Sequence, residues 1–206
     1  NAIQTTISQL DVSNTTGGGI FITNTGGLTL TNLGGTNANA VNGVGGAGSI
    51  TASSPLTISS DSITTGGITY TATDSAGTGD DLTVDSGATV QDDTALTLNA
   101  GDNLDIQVGT TVEVTGGGST LALVIDFGDA DGSGQTANLF GTINTGGATA
   151  TLTGGDDGDT FNIDDKGGAI DNGGTVDNIQ DNLLITSGGG ADTLNLDDSG
   201  DTTADT

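Results

Sequence analysis

The chain has 206 residues, of which 27 are acidic and one, Lys166, is basic; it contains no His and no Cys, and its formal net charge is −26. This excludes nucleic acid and anionic membrane surfaces as partners, because holding phosphates requires Lys and Arg, and it excludes a His- or Cys-based nucleophile pair or zinc site. Leu, Ile, Val and Phe number 46, about 22 % of the chain, just above the level where disorder becomes the default, so the apolar supply suits a thin core repeated along an axis.

Taken in chain order, the dominant pattern is a pair of apolar residues at i and i+2, bounded by Gly, Asn, Asp or Ser. Ile20-Phe21-Ile22, Leu28-Thr29-Leu30, Leu56-Thr57-Ile58, Ile68-Thr69-Tyr70, Leu82-Thr83-Val84 and Leu96-Thr97-Leu98 come first. Leu104 to Val108, Val112 to Val114, Leu121 to Leu123, Phe161 to Ile163 and Leu194 to Leu196 follow. Period two predicts strands with one buried and one exposed face. Thr is the usual outward residue, and its branched side chain suits a pleated surface. An opening strand is predicted around Ile3 to Val12, and 34–48 reads as a loose Gly-rich stretch. The predicted strands are three to five residues long, and Gly pairs and Asp-Gly or Asn-Gly turns join them. No segment has helical periodicity, and good helix formers are nearly missing.

The fold class is therefore all-β. Strands this short and this closely spaced predict a right-handed parallel β-helix, a solenoid of some seven to ten coils forming a rod of roughly 35–50 Å. The alternative is an antiparallel β-sandwich. One continuous architecture over 1–206 is expected, with a Thr/Asn/Gly-rich, ion-poor part (1–73) that carries only Asp11 and Asp61, and an Asp/Gly-rich part (74–206) that carries the other 25 acids.

So many carboxylates with one internal counter-charge predict bound divalent cations, with Ca2+ as the expected ion, since hard cations take oxygen ligands in turns of this composition. From Asp126 to Gly134, the residues Asp129, Asp131 and Ser133 fall at i, i+2 and i+4 and are followed by Gly. This matches the front half of a calcium loop. Phe140 stands where an EF-hand has its bidentate Glu, so the EF-hand itself is ruled out. Asp156, Asp157 and Asp159 form a second acidic turn, and Asp192 lies in a third. The adjacent pairs Asp80-Asp81, Asp92-Asp93 and Asp197-Asp198 read as solvated turn acids.

The segment Gly154 to Phe161 resembles the calcium-binding nonapeptide repeat of the RTX family: Gly154, Gly155, Asp159 and Phe161 match, and Asp157 stands where the third Gly belongs. A weaker copy runs from Ser187 to Leu194, where Gly188, Gly190, Asp192 and Leu194 match. The resemblance implies that turn carbonyls and the Asp of neighbouring repeats share each ion, and that the apolar residue points into the roll. The copies lie 33 residues apart, not nine or eighteen, so Asp159 and Asp192 serve as ligands only where long coils bring their turns side by side. Segments 48–58, 96–106 and 192–198 also resemble haemagglutinin-like and RTX-like bacterial surface adhesins. That resemblance implies an extracellular or cell-surface location and a structural or adhesive role, with a surface glycan or host receptor as partner.

No enzyme is expected. Lyases on parallel β-helices need Lys or Arg, and sugar sites need aromatic platforms, for which Tyr70 is the single polar candidate. The alternative functions are an ice-binding solenoid, carried by Thr-x-Thr at Thr29–Thr31, Thr69–Thr71 and Thr149–Thr153, and, for the sandwich alternative, an antiparallel calcium-binding adhesion module. No apolar run approaches about 18 residues, so no membrane span is expected. The chain begins at Asn1 without Met or a signal peptide, and reads as a mature product or an internal piece of a longer protein. A solenoid with open ends predicts end-to-end stacking with other copies of itself.

Overall fold

A computed structural model describes residues 1–34, 38–168 and 171–202. The chain winds through eight coils. The first runs through β1 (Ile3–Thr5), β2 (Gln9–Leu10) and β3 (Val12–Asn14); the second through β4 (Phe21–Asn24), β5 (Leu28–Leu30) and β6 (Val41–Gly43). The third holds β7 (Gly48–Ala52), β8 (Leu56–Ile58) and β9 (Ser62–Thr64), and the fourth β10 (Ile68–Ala72), β11 (Leu82–Val84) and β12 (Thr89–Asp92). The fifth comprises β13 (Ala95–Asn99), β14 (Leu104–Ile106) and β15 (Thr111–Val114), and the sixth β16 (Thr120–Val124), β17 (Thr136–Leu139) and β18 (Thr142–Asn144). The last two retain two strands each: β19 (Thr149–Thr153) with β20 (Thr160–Ile163), then β21 (Asn182–Thr186) with β22 (Thr193–Leu196).

First strands stack on first strands, second on second and third on third. The result is two eight-stranded sheets, A and B, and a six-stranded sheet C, with parallel pairing throughout the ladder. This is a parallel β-helix, and it overturns the sandwich alternative, which requires antiparallel neighbours. Eight rungs at a spacing of about 4.8 Å make a stack of roughly 35 Å. Sheet A passes through the compositional boundary near residue 73 without interruption, since β10 pairs with both β7 and β13. Among the described residues there is no helix, and so none long and apolar enough to cross a membrane.

The core follows from period two. Parallel register places like on like, so inward side chains form axial files such as Leu30, Ile58, Val84, Ile106, Leu139 and Ile163, all buried. Each fully buried aliphatic side chain contributes about 1.5–3 kcal/mol. Tyr70 lies inside this core with no exposed surface, so its ring offers no platform to a sugar. Outward threonines stack as expected, but over three rungs only: Thr29, Thr57 and Thr83 give way to Asp105, Asn138 and Asn162. The asparagines form a hydrogen-bonded ladder, Asn195 donating to Asn162 (2.8 Å) and Asn162 to Asn138 (2.9 Å).

Several local expectations are corrected. The opening segment is three short strands around two corners, not one strand. The stretch 34–48 contains β6 and the start of β7, and its residues 35–37 lie outside the described residues. The strand expected at Leu104 to Val108 stops at Ile106, leaving Val108 exposed. In β9 the pattern is inverted: Ser62 and Thr64 point inward and Ile63 outward. Ser62 Oγ hydrogen-bonds the Tyr70 hydroxyl and Thr64 Oγ1 donates to Asp92 (2.7 Å), so two inward hydroxyls meet the polar atoms of the next coil.

Candidate metal centre

Sheets A and B meet at a corner that every coil must turn. Its length varies from residues 25–27 in the second coil and 53–55 in the third to 125–135 in the sixth, with 100–103 in the fifth. This corner collects most of the acids singled out in the sequence. In the sixth coil, Asp126 follows β16 and enters the left-handed backbone region (φ 54°), as does Asp129 (φ 51°); Asp tolerates this conformation better than most residues. Backbone bonds fix the turn on the coil before it: Asp126 N–H donates to Asp102 O (3.3 Å) and Phe127 N–H to Ala100 O (2.9 Å).

Asp126 is the residue that most needs a partner. It is 5 % exposed, and neither of its carboxylate oxygens has a hydrogen-bond donor. Buried carboxylates are normally satisfied by N–H groups or by cations. Gly155 of the seventh coil faces Asp126 so closely that a Cβ on it would stand 1.8 Å from Oδ2, and its N–H is used by Asp159 Oδ2 instead. Burial, together with the charges of Asp129, Asp159, Asp157 and Asp131, pushes the Asp126 carboxyl up to about 6. Asp129 is raised too, by desolvation and by Asp157 and Asp156. Asp126, Asp129 and Asp157 can each bring one oxygen within 4.8 Å of the others. A hard divalent cation fits this arrangement: it supplies the missing partner to Asp126 and offsets the repulsion that raises it.

The remaining predicted ligands are placed differently. Asp131 does not join the three that meet; its Oδ1 accepts from Ser133 N–H (3.0 Å), closing a small turn in which Ser133 is exposed. Asp156 is exposed and contributes through charge. Asp159 is fully buried, but both its oxygens are used, Oδ1 by Gln135 N–H (2.8 Å) and Oδ2 by Gly155 N–H (2.9 Å). Asp192 Oδ1 accepts from Asp159 N–H (3.0 Å). Asp159 and Asp192 therefore hold backbone across successive coils. Phe161, the apolar residue of the motif, is buried in the core.

The adjacent acid pairs are not simply solvated. One member of each is buried: Asp80, Asp92 and Asp197. Asp92 accepts from Gly67, Thr94 and Ala95 N–H and from Thr64 Oγ1. In the ion-poor second coil, Asn24 stands at the end of β4, where sheet A turns toward sheet B. It is buried, accepts from Ile7 N–H (2.9 Å) and donates to Ile7 O (3.0 Å) and Gly26 O (3.0 Å), so a neutral side chain makes the corner's bonds. Sequence reasoning passed over Asp74 and Asp102 and read Asp80 only as a solvated turn acid, yet the three meet at the same corner two coils earlier; Asp102 comes from a different turn than Asp74 and Asp80, and no linear motif joins them. Comparison of the chain with protein-family models, with curated proteins and with solved structures finds no match.

Proposed function

We propose that the chain is a calcium-stabilised structural segment of a secreted or cell-surface fibre or adhesin, of the RTX-like and haemagglutinin-like kind its motifs resemble, and that it has no catalytic role. The observation that carries this reading is Asp126, a buried carboxylate without a donor at either oxygen, set among like charges in a chain of net charge −26. Calcium held by Asp126, Asp129 and Asp157 joins the corners of the sixth and seventh coils. A protein that depends on calcium for its counter-charge suits the exterior of a cell.

Assembly with other copies is part of the same reading. The first coil leaves Ile3 and Ile7 exposed and the start of the second leaves Phe21 exposed, while the last leaves Leu184, Leu194 and Leu196 exposed beside Ile163, Val176, Ile179, Leu183 and Ile185. Two apolar ends with unpaired strand backbone favour head-to-tail stacking or continuation into further coils.

Thermal unfolding followed by circular dichroism tests the ion. Calcium at 100-fold excess over Kd is expected to stabilise the fold by about 2.7 kcal/mol per site, and Asp126→Asn to remove that increment at its site. Equal melting temperatures in calcium and in chelator would overturn the reading. Sedimentation in calcium tests the stacking, with species larger than one chain expected.

A further inference from the structure

We infer a second divalent-cation site at the same corner, formed by Asp74 and Asp80 of the fourth coil and Asp102 of the fifth, which takes Ca2+ independently of the Asp126 centre. The three residues can each offer one oxygen within 4.8 Å of the others. Asp80 is 6 % and Asp102 1 % exposed. Asp74 Oδ1, Asp80 Oδ2 and Asp102 Oδ1 all lack a hydrogen-bond partner.

The other oxygens explain why these three remain unsatisfied. Asp102 Oδ2 already accepts from Gly79 N–H (2.5 Å) and Asp80 N–H (2.9 Å), which fixes the Asp102 side chain and directs Oδ1 away from those donors. Asp74 Oδ2 accepts from Ala130 N–H (2.5 Å), a residue of the sixth coil. The fifth-coil corner, residues 100–103, is so short that the long corners on either side close over it. Asp102 is thereby shielded, and one oxygen of each carboxylate is left facing the same small space. No cationic side chain serves it: the single Lys, Lys166, donates its Nζ to Gly173 O. Three clustered carboxylates, each with one oxygen that no donor reaches, match the oxygen-only preference of a hard cation.

Calorimetric titration of the full chain with Ca2+ tests the site separately from the Asp126 centre. Two ions per chain are expected for the wild type, one for Asp80→Asn and one for Asp126→Asn. Asp80 is the residue to change, because its Oδ2 holds no backbone. One ion in the wild type, abolished by Asp126→Asn and unaffected by Asp80→Asn, overturns this site and leaves the proposed function standing. One ion abolished by Asp80→Asn and unaffected by Asp126→Asn does the reverse. If Asp80→Asn fails to fold, Asp74→Asn makes the same distinction, and a wild-type stoichiometry of two in calcium, with Asp126→Asn retaining one, still supports the site.

Discussion

Asp126 and Asp197 are both buried at turns, and their environments move them in opposite directions. Ser199, through its hydroxyl and N–H, with Asn172 and Gly174 N–H, holds the Asp197 carboxyl down at about 2. An unfolded Asp titrates near 3.9, so the folded state favours the ionised form. Its contribution is complete above about pH 4 and is lost as the pH falls toward 2. Because Asp197 ties 172–174 to the end of β22, amide exchange in the last coil is expected to accelerate over that interval, and Asp197→Asn to abolish the acid dependence there. Asp126 has the opposite sign. Its ionised form is disfavoured in the calcium-free fold, so Asp126→Asn is expected to raise the melting temperature in chelator while removing this site's share of the response to calcium, both read in one pair of thermal scans. The sequence made Asp126, Asp129 and Asp157 visible as acids in Gly-rich turns. It could not tell them from Asp131, Asp159 and Asp192, because which oxygen finds an N–H depends on how each turn folds on itself and on the corner of the adjacent coil.

Strands with apolar residues at i and i+2 were legible because period two is written into them, and β5, β8 and β11 coincide with the expected segments. The third side of the coil was largely illegible. Its strands β6, β9, β12 and β18 carry Gly, Ser, Thr, Asn or Asp where an aliphatic pair would announce them. In β12 the inward residue after Val90 is Asp92, a residue depleted in strands; it is tolerated because four donors converge on it. Removing that acceptor leaves without a partner the N–H groups of Thr94 and Ala95 at the start of β13 and of Gly67 just before β10. Asp92→Ala is expected to destabilise the fold by about 3 kcal/mol or more, measured by urea denaturation, whereas Asp93→Ala, at the exposed neighbour, is expected to change it by less than about 1 kcal/mol.

On the scale of the whole chain, the coils form a one-dimensional stack in which strands pair only with those of neighbouring coils, with the Asp74–Ala130 bond reaching across the short fifth corner, so stability is close to a sum of coil and interface contributions. The acids are unevenly distributed along this stack: two lie before residue 74 and 25 after it. Self-repulsion is thus concentrated in the later coils, where both candidate ion sites also lie. Chelation is expected to raise amide exchange in β13–β22 while leaving β4–β8 protected, as hydrogen–deuterium exchange with peptide resolution would reveal. Uniform loss of protection along the chain would show that the coils melt as one unit and that the ions act on all of it. The rod-like repeat itself was legible from composition and short period-two segments, because register in a parallel stack demands only that apolar residues recur. The coil length was not legible, because the corners absorb it: Ile50 pairs with Tyr70 after 20 residues, yet Leu152 pairs with Ile185 after 33.

That elasticity makes the frame a natural display scaffold. At the tight turn between β15 and β16, an added Cβ at Gly117 or Gly118 meets nothing within 4 Å, and the ladder on either side is set by strands that the turn does not touch. A foreign epitope grafted there would hang from the rod without disturbing a single rung, and grafts at several such turns would present their cargo at spacings fixed by the backbone itself.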